Sequence, residues 1–307
     1  MQLTLLFPGQ GAQRPGFLRR LPQHPAVHRT LAEAGRILEQ DLSQLDDAAA
    51  LQSTAAVQLT TLIAGVAVAR ALAAEGVTAD AVAGLSVGAF AAAVACETLA
   101  FPDALSLVKL RGEAMARAAP HGYGMAAILG LTERNAQRLV ARVSERFPLY
   151  LAGVNSPTEV VVSGDDQALG AASEAAYVAG ASLRRLRVGI PSHCPLMAGV
   201  SVSLREAMSR VPLRRPRMLY VSNIRARAAA EAADVAEDLI LNVSHTVRWH
   251  DSVTLLYELG CRLYVESPPG QVLTNLVKAT FPQARAVALD EVPLASAVML
   301  ARRGPSS

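Results

Sequence analysis

Gly84-Leu85-Ser86-Val87-Gly88 has the G-x-S-x-G spacing that places a serine on a sharp turn. A short apolar run, Ala81-Val82-Ala83, precedes it, and an alanine-rich segment over residues 89–95 comes after it. The expected context is therefore strand, turn, helix, with the Ser86 hydroxyl exposed. The helix N-terminus behind the serine offers unpaired N–H groups, that of Val87 first, which can hold an oxyanion. This is the equipment of nucleophilic acyl transfer. A five-residue pattern also occurs in ordinary glycine-bounded turns, and it is the flanking strand and helix that favour catalysis here.

A serine nucleophile needs a base, and the chain has six histidines. His24, His28, His121, His245 and His250 stand in helical or linker contexts without a special signal. His24 and His28 have the i,i+4 spacing of metal ligands, but Pro25 lies between them and there is no HExxH glutamate. They read as a helix start, and no metal is expected. His193 differs. It lies in Gly189-Ile190-Pro191-Ser192-His193-Cys194-Pro195, where two prolines stiffen the loop as a positioned base requires. A histidine capping a turn is the alternative reading.

These residues need a scaffold, and the hydrophobic pattern outlines one. Residues 3–7 read as a buried strand running into Pro8-Gly9-Gln10-Gly11. Helices are predicted near 25–40 and 55–75, and another begins near Pro102. Strands alternating with helices indicate α/β architecture with a mostly parallel sheet. After Pro120-His121-Gly122-Tyr123-Gly124 the texture changes. Strands at 125–129, 149–154, 159–163 and 182–188 alternate with helices at 132–147, capped by Thr132, and 165–179. The order βαββαβ is that of a ferredoxin-like unit. The expected division is an α/β hydrolase-like catalytic domain from 1–123 and 190–307, with a ferredoxin-like subdomain inserted at 124–189. Beyond it, strands near 218–221 and 262–266 and helices near 231–242, 248–259 and 271–279 resume the α/β pattern.

Composition narrows the class. Of 307 residues, 51% are hydrophobic and 18% charged, which suits a large buried core and excludes a disordered chain. The net charge of +3 is too balanced for a dedicated nucleic-acid binder. Cys96, Cys194 and Cys261 form no CxxC pair, so neither a zinc site nor a disulfide framework is indicated. The N-terminus lacks a basic n-region, and the apolar stretch 57–69 is interrupted by Gln58, Thr60 and Thr61. That stretch is shorter than the roughly 20 residues of a membrane span. A cytoplasmic protein without membrane or nucleic-acid partners is expected.

Six motifs now fall in one order: Phe7-Pro8-Gly9-Gln10-Gly11-Ala12-Gln13, the Ser86 turn, Arg111-Gly112, Pro191-Ser192-His193-Cys194, Val247-Arg248-Trp249, and Glu266-Ser267-Pro268-Pro269-Gly270-Gln271-Val272-Leu273-Thr274. Together they resemble the malonyl-CoA:acyl carrier protein transacylases over essentially the whole chain. The resemblance implies that Ser86 carries the malonyl group and that His193 is its acid–base partner. It further implies that the backbone carbonyl of Asn242 orients the histidine, which would account for the lack of an evident triad aspartate. The N–H groups of Val87 and Gln10 would form the oxyanion hole, Arg111 would bind the free carboxylate of malonate, and Gln58 would be another polar substrate-binding residue. Read without the resemblance, Arg111 is a charge on the solvated face of a helix over 104–118.

Two positions depart from the usual GHSLGE or GHSLGQ turn of the family: Leu85 replaces the histidine, and Ala89 the acidic or amide residue. The form GLSVGA, with Phe90 next, is similar to the branch serving malonate decarboxylase as its epsilon (transacylase) subunit. Malonyl-CoA would then be a substrate, the partner a small acyl carrier subunit bearing a phosphopantetheine-type, CoA-derived arm, and the enzyme itself would hold no cofactor. The alternatives are a fatty-acid-synthesis transacylase, a serine hydrolase and a non-catalytic scaffold. Two arginine clusters, 184/185/187 and 214/215/217, read either as solvated faces or as a surface for phosphates and acidic carriers.

Overall fold

The computed structural model describes residues 3–119 and 121–303. Pro120 in the expected hinge, the first two residues and the last four lie outside them. Within the described residues ten strands form two sheets: β1 (Leu3–Phe7), β2 (Ala81–Gly84), β3 (Tyr123–Leu129), β4 (Leu149–Ser156), β5 (Glu159–Asp165), β6 (Ser182–Arg185), β7 (Leu219–Val221), β8 (Ala228–Ala229), β9 (Leu263–Glu266) and β10 (Arg285–Ala288). The larger sheet has the order β10-β9-β1-β2-β7-β8. All its pairings are parallel except β7 with β8. Its central strands are buried throughout, as helix-covered parallel strands must be, and so they read as unbroken apolar runs. This is the mixed α/β fold expected.

The register pairs Phe7 with Gly84, so β1 and β2 end side by side. Ligands of such sheets bind beyond the carboxyl ends of the strands, and both candidate loops, 8–12 and 85–87, start there. The helix Thr54–Ala74 is apolar on every side because it is covered on every side. At 21 residues it is long and apolar enough to cross a membrane, so the argument from shortness made for 57–69 does not hold. What accounts for its composition is burial: 89% of its most apolar window lies inside the protein.

The smaller sheet has the order β4-β5-β3-β6, all antiparallel, with helices Glu133–Ser144 and Asp166–Val178 between its strands. Thr132 and Asp165 cap these helices through their side chains, as short polar residues before an apolar run should. Alternation along β5 sends Val160 and Val162 into a core with Ile128, Leu139 and Leu169, and Val161 to the opposite face with Met125 and Ala152. That second face looks onto the functional cavity. β6 stops at Arg185, three residues before the expected end. The structure also adds β10 and the helix Leu294–Arg303, which the pattern reading did not separate.

Main-chain bonds tie β4 of the smaller sheet to the segment just before the helix Trp249–Glu258: Val154 N–H to Val247 O at 2.9 Å and Val247 N–H to Ala152 O at 3.0 Å. Arg248 adds a fork onto Glu133 at 2.6 and 3.1 Å.

Candidate active site

Ser86 adopts φ +56°, a left-handed conformation that costs a non-glycine residue energy and persists only when its surroundings impose it. Its neighbours show how. A Cβ on Gly84 would lie 2.2 Å from the Gly88 backbone, and one on Gly88 would lie 2.1 Å from Phe7 O. Both glycines of the motif are therefore required by backbone crowding, not only by turn geometry. The turn's first bonds are donated by Gly88, Ala89 and Phe90 to the oxygens of Leu85, Ser86 and Val87. The N–H of Val87 is not drawn into them. The loop after β1 lies against this turn: a Cβ on Gly9 would sit 3.2 Å from Leu85 O and 3.7 Å from Ser86 Cβ.

His193 also has a positive φ, +63°, and is pinned by its own N–H to Val243 O at 2.7 Å. Its Nδ1 donates to the backbone carbonyl of Asn242. That bond places the ring proton on Nδ1 and leaves Nε2 as the free lone pair. Burial, then the charge of Arg111, hold the imidazole down at about 4, against the opposing effect of the Asn242 carbonyl. The ring is thus a neutral acceptor at physiological pH. Beside it, Ser163 Oγ donates to Ser192 O at 2.6 Å, tying the smaller sheet to the histidine loop.

Arg111 is not on a solvated helix face. It is 1% exposed and extends from the helix Phe101–Ala118 towards Ser86. Nη1 donates to Gln58 Oε1 at 2.6 Å, and Nη2 donates to Ser86 Oγ at 3.2 Å and to Asn242 Oδ1 at 3.4 Å. Nε is buried with no partner. No carboxylate pairs with this guanidinium among the described residues. Burial pulls its pKa down to about 9, which still leaves it charged at neutral pH. A buried cation with an unpaired Nε and no counter-charge is costly to keep, and an anion beside it would offset that cost.

Ser86, His193, Arg111 and Gln10 line one cavity of about 460 Å³ between the two sheets. Met125, Ala152 and Val161 supply its apolar wall, and Arg184, Arg185 and Arg187 lie along it as well. Gln58 and Asn242 do not line it. Gln58, fully buried, holds Arg111 from behind and donates to Met115 Sδ at 3.2 Å. Asn242 is tied to all three central residues: its carbonyl meets His193, its Oδ1 meets Arg111, and its Nδ2 donates to Ser86 O at 3.4 Å. The Ser86 hydroxyl takes its hydrogen bond from Arg111 rather than pairing with His193. Asn223, whose side chain accepts the Ser86 N–H at 2.9 Å, was not singled out by the sequence. The only local signal was a polar Ser-Asn pair at the end of a short strand. His24 caps a helix, its Nδ1 accepting from Ala26 N–H at 3.1 Å.

Comparison with known proteins matches this architecture. The acyl transferase domain model covers residues 4–303. The malonyl CoA-acyl carrier protein transacylase of Bacillus subtilis is 35% identical over 297 residues, 94% of each chain. That of Escherichia coli K12 is 33% identical over 306 residues, 97% of this chain and 99% of the relative. The solved malonyl CoA-acyl carrier protein transacylase of Coxiella burnetii superposes with a TM-score of 0.94 at 29% identity, covering 100% and 98% of the two chains. A malonyl-transacylase solved in complex with a type II polyketide acyl carrier protein gives 0.91 at 31% identity, covering 98% and 99%.

Proposed function

The chain belongs to the malonyl-CoA:acyl carrier protein transacylase family of acyl transferases, and from that membership we propose that it loads malonyl from malonyl-CoA onto Ser86 and passes it to a carrier thiol. The observation that carries the substrate choice is Arg111, a buried guanidinium beside the serine with Nε unpaired. Nε and Nη2 share one edge of the fork, the edge a carboxylate takes in two parallel bonds. Malonate arriving there takes Nη2 from Ser86 and releases the hydroxyl towards His193.

Ser86 Oγ then attacks the thioester carbonyl while its proton passes to His193 Nε2. The N–H groups of Val87 and Gln10 hold the oxyanion. Collapse breaks the carbon–sulfur bond, and His193 returns the proton to the departing CoA thiolate. A carrier thiol reverses the sequence. The thioester supplies its own activation, so no resident cofactor or metal is needed. The setting we propose is a reducing cytoplasm, supported by three buried free thiols.

Two carriers are in view. The named relatives act on an acyl carrier protein, which supports the reading of this chain as a fatty-acid-synthesis transacylase with such a protein as acceptor. The acyl carrier subunit of a malonate decarboxylase is the second reading; it rests on the GLSVGA turn, in which Leu85 lines the cavity. Competition between the two carriers for one malonyl-enzyme pool separates them.

The substrate reading is tested by kcat/KM for malonyl-CoA and acetyl-CoA. Wild type is expected to prefer malonyl-CoA by orders of magnitude, because acetyl-CoA leaves the cation unpaired at a cost of several kcal/mol. In Arg111→Ala the ratio shrinks or inverts, with Arg111→Lys between because an ammonium cannot form the fork. An unchanged ratio in Arg111→Ala removes Arg111 from substrate recognition.

A further inference from the structure

Asp238 is a buried carboxylate, 1% exposed, that the acyl-transfer chemistry does not use and no cation neutralises among the described residues. Four donors converge on it. Oδ1 accepts from Ser222 Oγ at 2.7 Å and Ile224 N–H at 3.1 Å; Oδ2 accepts from Tyr220 Oη at 2.7 Å and Asn223 Nδ2 at 3.2 Å. The Asn223 amide is thereby fixed in one orientation. Its Nδ2 must face the carboxylate, so its Oδ1 faces the other way and accepts the Ser86 N–H at 2.9 Å. Arg248 N–H closes the arrangement on Asn223 O at 2.7 Å.

We infer that Asp238 and Asn223 are positioning residues for the nucleophile, holding Ser86 in its left-handed conformation through its own N–H. The physical need is plain. A serine at φ +56° does not stay there on local preference, and the glycines around it relieve crowding without pulling the serine in. A buried anion two hydrogen bonds away supplies the pull, because a charged acceptor makes the stronger bond and orders the amide between. β7 ends beside β2, so the loop after β7 is where such an anchor can reach the elbow.

This inference rests on Ser86 being the acylated residue, and the test separates the two. The burst of CoA released on mixing with malonyl-CoA is recorded in wild type, Asn223→Ala, Asn223→Asp and the exchange variant Asn223→Asp/Asp238→Asn. Burst amplitude counts competent sites, and the rate constant per site reports positioning. Asn223→Ala is expected to acylate about tenfold to a hundredfold more slowly per site, with KM changed by no more than about twofold. Asn223→Asp opposes two carboxylates and loses as much. In the exchange variant the carboxylate now at position 223 accepts from Ser86 N–H and from the side-chain amide now at position 238. The oxygen of that amide keeps Ser222 and Ile224, and the Tyr220 hydroxyl turns to accept. The rate of this variant is expected to return to within about threefold of wild type. A wild-type rate constant per site in Asn223→Ala, or an exchange variant no faster than Asn223→Asp, overturns the inference. Should Asn223→Ala fail to fold, the comparison between Asn223→Asp and the exchange variant decides alone. Absence of any burst in wild type sinks the acyl-serine reading, and this one with it.

Discussion

At the scale of single residues, His193 is set up as a neutral base by its surroundings. Burial and the Arg111 charge hold it near 4, so proton acceptance is lost only as pH falls through that value. The acid limb of kcat/KM, measured with acetyl-CoA so that no substrate carboxylate titrates, is expected near pH 4. In Arg111→Ala the second of the two depressing effects is gone, and the limb moves to higher pH. An unmoved limb shows that the arginine does not act on the imidazole. His193→Ala should slow transfer by roughly 10²–10⁴. Ser86 and His193 were legible because their signals are local, a five-residue turn and a proline-stiffened loop. Arg111 was legible only through the family resemblance. Its helix face reads as solvated, and what buries it is tertiary: Gln58 from another helix and Asn242 from a distant loop. Asn223 and Asp238 carried no distinctive pattern: β7 pairing with β2 brings Asn223 to Ser86, and the helix Ala232–Leu241 brings Asp238 to Asn223.

At the scale of elements, the helix Val272–Thr280 shows how a strand of the sheet secures the start of the next helix. Its N-cap residue, Gln271, makes no side-chain cap; Glu266 at the end of β9 accepts instead from Leu273 N–H at 3.1 Å and Thr274 N–H at 2.6 Å. Burial raises the Glu266 pKa from 4.5 to about 7, against the lowering effect of those bonds. Between these values the folded chain holds a proton that the unfolded chain releases, so the glutamate's contribution is full below pH 4.5 and declines as pH rises to 7. Glu266→Ala is expected to cost about 1–3 kcal/mol in urea unfolding. The gap to wild type should narrow as pH rises through that window; a gap independent of pH contradicts the account. Element types were largely readable from periodicity and caps, with Thr132 a clear case. Ends were less so: β6 stops before the expected end at 188, and the long apolar helix owes its composition to burial in a core.

At the scale of the whole molecule, two sheets enclose the cavity and its rim carries charge. Arg185 is occupied by Asp166 at 2.5 Å, whereas Arg184 and Arg187 are exposed without an ion-pair partner among the described residues. The second cluster is partly spent on Glu231 and Glu97. If the free pair meets the phosphates of CoA, KM for malonyl-CoA should rise with ionic strength in wild type and far less in Arg184→Ala/Arg187→Ala, because exposed charges are screened. An equal salt slope in both makes them ordinary surface charges. The transfer as a whole is tested most directly by the intact mass of the purified chain after mixing with malonyl-CoA. The expected result is one malonyl increment, on the peptide containing Ser86 and absent from Ser86→Ala, that persists in buffer and moves to an added carrier bearing a phosphopantetheine thiol. Acylation of Ser86→Ala at the wild-type rate, or release of free malonate as fast as CoA, would contradict it.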